Sequence, residues 1–259
     1  MKTLVLNPEV MKYAPWAASK IDVAEQCTQR FHYKFVENIK EPGVIDSRGR
    51  IGSAAHKALE LILNGSDEKL AFKKAAIDNK LTTPEVDDFI AYRGKVAEFI
   101  KRIESYEKRN PTEERLVEYK FGFTPDFQPT SFWDKKGLLR GVFDLGLHLK
   151  ADALIILDHK SGEEKDIREY AKQLDIYAVA ATIIRPTIKG TQAAIHYVKT
   201  GKISWSDYID KAYIEENLRP WLINRLNEAT AKVAAGPVPV EGWWCSFCGF
   251  KNRCPAWNK

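Results

Sequence analysis

The stretch "GVFDLGLHLKADALIILDHKSG", residues 141–162, restricts the possible folds of this 259-residue chain more than any other. It reads as two strands joined by the turn Lys150-Ala151-Asp152. In the first strand Asp144 shares a face with Val142, Gly146 and His148, while Phe143, Leu145, Leu147 and Leu149 point the other way. In the second, Asp158 and Lys160 share a face. A three-residue turn pairs Asp144 with Asp158, their Cβ atoms about 5 Å apart. The turn lacks the glycine such hairpins favour, and Asp152 is the residue suited to its left-handed position.

Two directly opposed carboxylates in a half-buried sheet repel each other unless something neutralises them. A divalent cation does so, and carboxylates suit Mg²⁺ or Mn²⁺, which also hold substrate phosphates. Lys160 stands beside the pair, able to orient an attacking water or offset charge on phosphorus. On a solvated face the same residues would read as strand-end charges or a Lys–Asp ion pair. The nearly continuous apolar run "ALIILDHK" favours a buried sheet with a site at its end.

Helices surround this ribbon. "KIDVAEQCTQRFHYKFVENI" reads as one helix carrying Cys27. "GSAAHKALELILNG" reads as another, with Ser53 capping its start and Gly65 its end. "TTPEVDDFIAYRGKVAEFIKRIESYEKRNP" reads as a third, with Thr83 as N-cap and Phe89, Val96, Phe99, Ile100 and Ile103 as a core stripe. "RLVEYKFGF" alternates as a strand and "EKDIREYAKQLDIYAVAATIIR" returns to helix. "TQAAIHYVKTGKISW" suggests a strand and short hairpin, and residues 206–236 a helix broken near Pro220. The expected class is α/β, with a small mixed central sheet flanked by helices.

In this setting "GVFD" followed by "ILDHK" resembles the G-x-x-D…D-x-K core of the PD-(D/E)XK nuclease superfamily, a restriction-endonuclease-like fold. With "GSAAHKALE" upstream and "QLDIYA" downstream, the set is similar to the RecB-like branch. Cys27 far upstream of Cys245, Cys248 and Cys254, spaced C-x2-C-x5-C, resembles its iron–sulfur members. Those are the CRISPR-associated RecB-like exonucleases, the AddB nuclease subunit and the nuclease domains of some eukaryotic repair helicases. The resemblance implies that His56, Asp144 and Asp158 ligate the catalytic metal together with the backbone carbonyl of His159. It makes Lys160 the catalytic lysine, and has Gln173 and Tyr177, one helical turn apart, contact DNA or support the metal site. Glu60 and Glu118 rank as secondary carboxylates. The chain departs from the family's name in carrying Phe143 before Asp144 and Asp158 as the motif acid. Thr28 follows the first cysteine where proline is usual.

Four thiolates suit either tetrahedral Zn²⁺ or a [4Fe–4S] cluster. The resemblance and the spacing, three clustered ligands and one remote, favour iron–sulfur, with structural Zn²⁺ as the alternative. Such a site would tie residues 20–40 to residues 240–259, and the nuclease core would span about 50–200 of one domain, 1–259. The N-terminus lacks the apolar core of a signal peptide, and no apolar run is long enough to span a membrane. A cytoplasmic location follows as an expectation for a bacterial, archaeal or phage-encoded protein. The net charge of +5 mildly favours an anionic partner. The expected activity is metal-dependent DNA hydrolysis by an exonuclease acting on single strands or duplex ends, with other DNA-processing proteins as expected partners. The alternative is a catalytically silent DNA-binding adaptor.

Overall fold

A computed structural model describes residues 5–43 and 47–257. The ribbon forms β3 (Leu139–Leu149) and β4 (Ala153–Lys160), antiparallel, with Leu145 opposite Leu157 and Leu149 opposite Ala153. Asp152 takes φ 59°, so an aspartate supplies the left-handed residue that the turn needs. One step along this register sets Asp144 opposite Asp158.

The other strands are β1 (Thr112–Phe123), β2 (Pro129–Thr130), β5 (Gly190–Tyr197) and β6 (Lys202–Asp210). They form one mixed sheet in the order β2-β1-β3-β4-β5-β6. β4 and β5 run parallel, joined through a crossover helix, and the β5–β6 hairpin is antiparallel. The expected α/β class with a mixed, helix-flanked sheet is what forms. Two-residue β2 lies in a stretch that has no alternation to announce it.

The helices are α1 (Ala18–Gln26), α2 (Thr28–Phe31), α3 (Ser47–Leu63), α4 (Glu68–Asp78), α5 (Thr83–Ile90), α6 (Arg93–Arg109), α7 (Ala171–Ile184), the single turn α8 (Lys211–Tyr213) and α9 (Arg219–Ala234). Several differ from the sequence reading. Cys27 is not on a helix. It is extended, at φ −159°, between α1 and α2, and backbone and side-chain bonds from Thr28 and Gln29 to Gly236 and Val238 hold this break. Helix α3 begins at Ser47, ahead of Ser53, whose hydroxyl instead donates to Gly49 O. Its end is as read: Gly65, at φ 91°, closes it with Gly65 N–H to Ile62 O and Ser66 N–H to Leu61 O. The third helix is two, α5 and α6, with a break at Ala91–Tyr92 that leaves Phe89, Val96, Phe99 and Ile103 in one core. Its cap is Thr82, in a capping box with Glu85. Ser206–Asp210 belong to β6, and Pro220 sits in the first turn of α9.

The chain divides into two compact units. One takes in the described residues of Ile45–Lys120 and Val142–Ile214, the other those of Met1–Val44, Phe121–Gly141 and Glu215–Lys259. In the first, α3 to α6 bury Ala55, Leu59, Phe72 and Phe99 in one core with Leu145, Leu147, Ile155 and Leu157 of the ribbon. In the second, Arg225 of α9, 5% exposed, bonds Asp22 and Glu25 of α1. Among the described residues no helix is long and apolar enough to cross a membrane.

Candidate active site and metal centre

The ladder between β3 and β4 gives way to side-chain bonding at the acids. Asp144 Oδ2 accepts the backbone N–H of His159 at 2.6 Å and lies 3.7 Å from Nδ1 of His56, on α3. Burial, then the nearby Asp158 carboxylate, raises the Asp144 pKa well above the usual carboxylate range. Burial first, and Lys160 with it, outweigh the pull of Asp158 and lower the pKa of His56, leaving a neutral imidazole free to ligate.

Asp158 is buried, 3% exposed. Its Oδ1 accepts from Gln173 Nε2 at 2.8 Å and from Tyr177 OH at 3.1 Å, both one turn apart on α7. Gln173 Nε2 also donates to Tyr177 OH, and Gln173 Oε1 accepts from Lys160 Nζ at 3.2 Å. Lys160 Nζ lies 2.5 Å from Asp158 Oδ2, yet that oxygen has no partner with hydrogen-bond geometry. The ring of Phe143 meets Tyr177 edge-on at 5.2 Å. The residue standing where the family's name has proline thus backs one of the two hydroxyl and amide donors to Asp158.

Glu118, secondary in the sequence reading, stands with His56 and Asp144. It adopts φ 48° in the middle of β1, a conformation L-residues rarely take. Burial and Glu60 raise its pKa. One ligand atom each of His56, Glu118 and Asp144 lies within 4.8 Å of the others, a group able to hold a metal ion. The donor set, one imidazole with carboxylates, fits a divalent cation, with the buried Asp158 Oδ2, met only by Lys160, close by. Glu60 lines the same open cleft, of about 560 Å³, but is paired with Lys57 at 2.8 Å. The imidazole of His159 points elsewhere, buried with Nδ1 3.1 Å from that of His196 and its ring edge-on to Phe99. Its backbone bonds Asp144, and its ring stands edge-on to that of His56, 5.8 Å between centroids. Sequence reasoning missed Tyr170, whose ring lies 5.3 Å from Lys160 Nζ. Its spacing three residues before Gln173 was the available signal.

The four thiols gather in the other unit. Cys27, Cys245, Cys248 and Cys254 line one cavity walled by Val240, Trp244, Phe250 and Trp257. Burial raises the Cys248 pKa.

A mixed sheet whose adjoining strands set Asp144 beside an Asp158-x-Lys160 pair, next to a His56–Glu118–Asp144 group able to hold a metal ion, has the arrangement of a metal-dependent nuclease. The family model of the PD-(D/E)XK nuclease superfamily matches residues 15–255, and the chain belongs to that superfamily. No curated protein matches the chain. A solved structure described as "Crystal structure of SSO0001" is 16% identical over 96% of each chain, with a TM-score of 0.36. A likeness that distant bears on neither site nor activity.

Proposed function

We propose that the protein is a divalent-metal-dependent DNA exonuclease of the RecB-like branch, with a [4Fe–4S] cluster on its four cysteines. The observation that carries the activity is the Asp158 carboxylate, buried, held by Gln173 and Tyr177, and touched by Lys160 on its remaining oxygen. A carboxylate held on one oxygen by an amide and a hydroxyl, and met on the other by an ammonium, is pre-set for charge chemistry at that second oxygen.

His56, Asp144 and Asp158, with the His159 carbonyl and Glu118, would hold Mg²⁺ or Mn²⁺. When bound, the ion supplies an activated water and offsets charge on the scissile phosphate. Gln173 and Tyr177 fix the Asp158 rotamer, so that its second oxygen stays with Lys160 at the site. Lys160 brings its ammonium to the same oxygen, where it orients the attacking water and balances charge developing on the phosphate. Contacts to phosphates rather than bases would make cleavage largely indifferent to sequence.

For the thiols, iron–sulfur is favoured over zinc by the resemblance and by the spacing, three clustered ligands and one remote. The site would join α1 and α2 to the C-terminal turns within the second unit.

The test is a digestion assay with Mg²⁺ or Mn²⁺ on end-labelled linear single- and double-stranded DNA, beside circular single strands. Linear DNA should shorten from its ends and circular DNA persist, with Asp158→Ala inactive on both. Persistence of linear DNA with either ion, in protein shown by absorbance near 400 nm to carry its cluster, would overturn the reading and favour a silent DNA-binding adaptor.

A further inference from the structure

The second unit carries two cations, Lys20 and Arg140, that line one pocket with neither paired to a carboxylate among the described residues. Lys20 Nζ, on α1, donates to Tyr13 O at 2.5 Å and Pro15 O at 3.3 Å, and lies 5.0–5.7 Å from the rings of Trp16, Phe31 and Phe35. Arg140, at the start of β3, lies 5.0 Å over the Phe132 ring and donates to Phe132 O at 3.4 Å. Its backbone N–H bonds Trp16 O, which fixes β3 against the segment leading into α1. Neither cation meets a carboxylate among the described residues. Burial, with Arg140 as the second cause, lowers the Lys20 pKa to about 8.

Both line an open pocket of about 410 Å³ together with Arg30, Lys34 and Phe35. Arg30 and Lys34 share one acid, Glu41, at 2.9 Å each, so the pocket remains strongly positive. Two like charges brought together against aromatic rings repel each other at a cost to stability, and an anion seated between them removes it. Beside Arg140, the loop into β3 carries Trp133, 70% exposed and 4.8 Å edge-on to Phe132, followed by exposed Lys135 and Lys136. A cationic pocket bordered by an exposed indole is the pairing that single-stranded DNA requires, phosphates to the cations and a base on the ring.

We infer that Lys20 and Arg140 form a phosphate subsite for a single DNA strand, with Trp133 as the stacking platform for an adjoining base. The inference rests on the nuclease reading for its choice of strand, but not for its chemistry, which is recognition of a phosphate oxyanion. A free phosphate or mononucleotide offers the same oxyanion without a neighbouring base.

The test is fluorescence anisotropy of a labelled ten-residue oligothymidylate on the full-length protein in EDTA, where no cleavage occurs. Lys20→Met keeps the side chain's apolar length among the rings and should weaken binding about fivefold to tenfold, as should Arg140→Gln. Each should lessen the slope of log affinity against log salt by about 0.7. Trp133→Ala, at an exposed position, should weaken binding to a similar degree and leave the salt slope unchanged, which separates stacking from charge. Thermal midpoints within about 3 °C of the parent would show that the variants fold. Unchanged affinity and slope in both charge variants would overturn the subsite. Competition by thymidine monophosphate as strong as that by the oligonucleotide would overturn its assignment to a strand. If the parent binds as described yet digests no DNA when Mg²⁺ or Mn²⁺ is added, the nuclease reading fails and the subsite stands.

Discussion

Asp144 and His159 are joined across neighbouring strands by a 2.6 Å bond from the His159 backbone N–H to Asp144 Oδ2. The bond takes the place of a main-chain rung, so the carboxylate terminates the β3–β4 ladder at the site. Burial, then the nearby Asp158 carboxylate, raises the Asp144 pKa to about 8 against the lowering pull of this bond. For an acid with a raised folded pKa, the protonated form is favoured in the folded state. Its stabilising effect is therefore complete below the unfolded pKa near 4 and declines as pH rises toward 8. In metal-free protein, Asp144→Asn should gain stability relative to the parent across that window, by up to about 1.4 kcal/mol per pH unit. Urea midpoints at pH 5, 6, 7 and 8 measure it, and a constant difference would mean that Asp144 ionises normally.

Lys160→Ala should lower cleavage at least about 100-fold without reducing binding of the metal ion. Lys160→Arg should recover little, since a planar guanidinium cannot reproduce a compact ammonium beside Asp158 Oδ2. Calorimetric titration with Mn²⁺ in both variants separates loss of chemistry from loss of the ion. Digestion at the parent rate by Lys160→Ala would remove this residue from catalysis.

How far the sequence disclosed these features depended on the range of the signal. The ribbon was legible because a three-residue turn and a period of two fix register together, and Asp152 was the residue able to take the left-handed turn position. Gln173 and Tyr177 were legible because spacing of four places both on one helical face. The break at Cys27 was not, because it is held by Gly236 and Val238, more than 200 positions away. Nor was the split between α5 and α6, since it leaves the apolar phase intact. Glu118 stood out little because its distinction lies in a backbone conformation, which side-chain identity does not reveal.

That conformation separates two effects at Glu118. The left-handed φ of 48° costs an ordinary residue about 1–2 kcal/mol, and glycine almost nothing. Glu118→Gly should therefore raise the stability of metal-free protein by about 1 kcal/mol while weakening Mn²⁺ binding about 10-fold to 100-fold. Glu118→Ala should weaken binding as much and recover less of the strain. Manganese affinity unchanged in both variants would exclude the carboxylate from the metal centre.

Cys27 supplies the remote ligand of the proposed cluster from an extended residue between two helices. Cys27→Ser should yield colourless protein with iron content near zero and a thermal midpoint lowered by roughly 10 °C, the size expected when a few kcal/mol of ligand-linked stability is lost. Zinc in equimolar amount in the parent protein, with no absorbance near 400 nm, would replace iron–sulfur with a structural zinc site.

Gly52 lies on α3 one turn before His56, and a Cβ there would fall on Ser161 Oγ, just beyond the end of β4. The contact lets α3 approach the ribbon closely enough for His56 to reach Asp144. Gly52→Ala must push helix and strand end apart, since Ser161 Cβ is itself only 3.0 Å away. His56 would then withdraw from the carboxylates, and Mn²⁺ affinity should fall about tenfold, although neither altered residue bonds the ion. Pairing it with Ser161→Gly removes both obstructing atoms and should restore most of the affinity, a non-additivity expected only of residues in contact. Additive losses in the double variant, read by calorimetry, would show that the helix is positioned by other contacts.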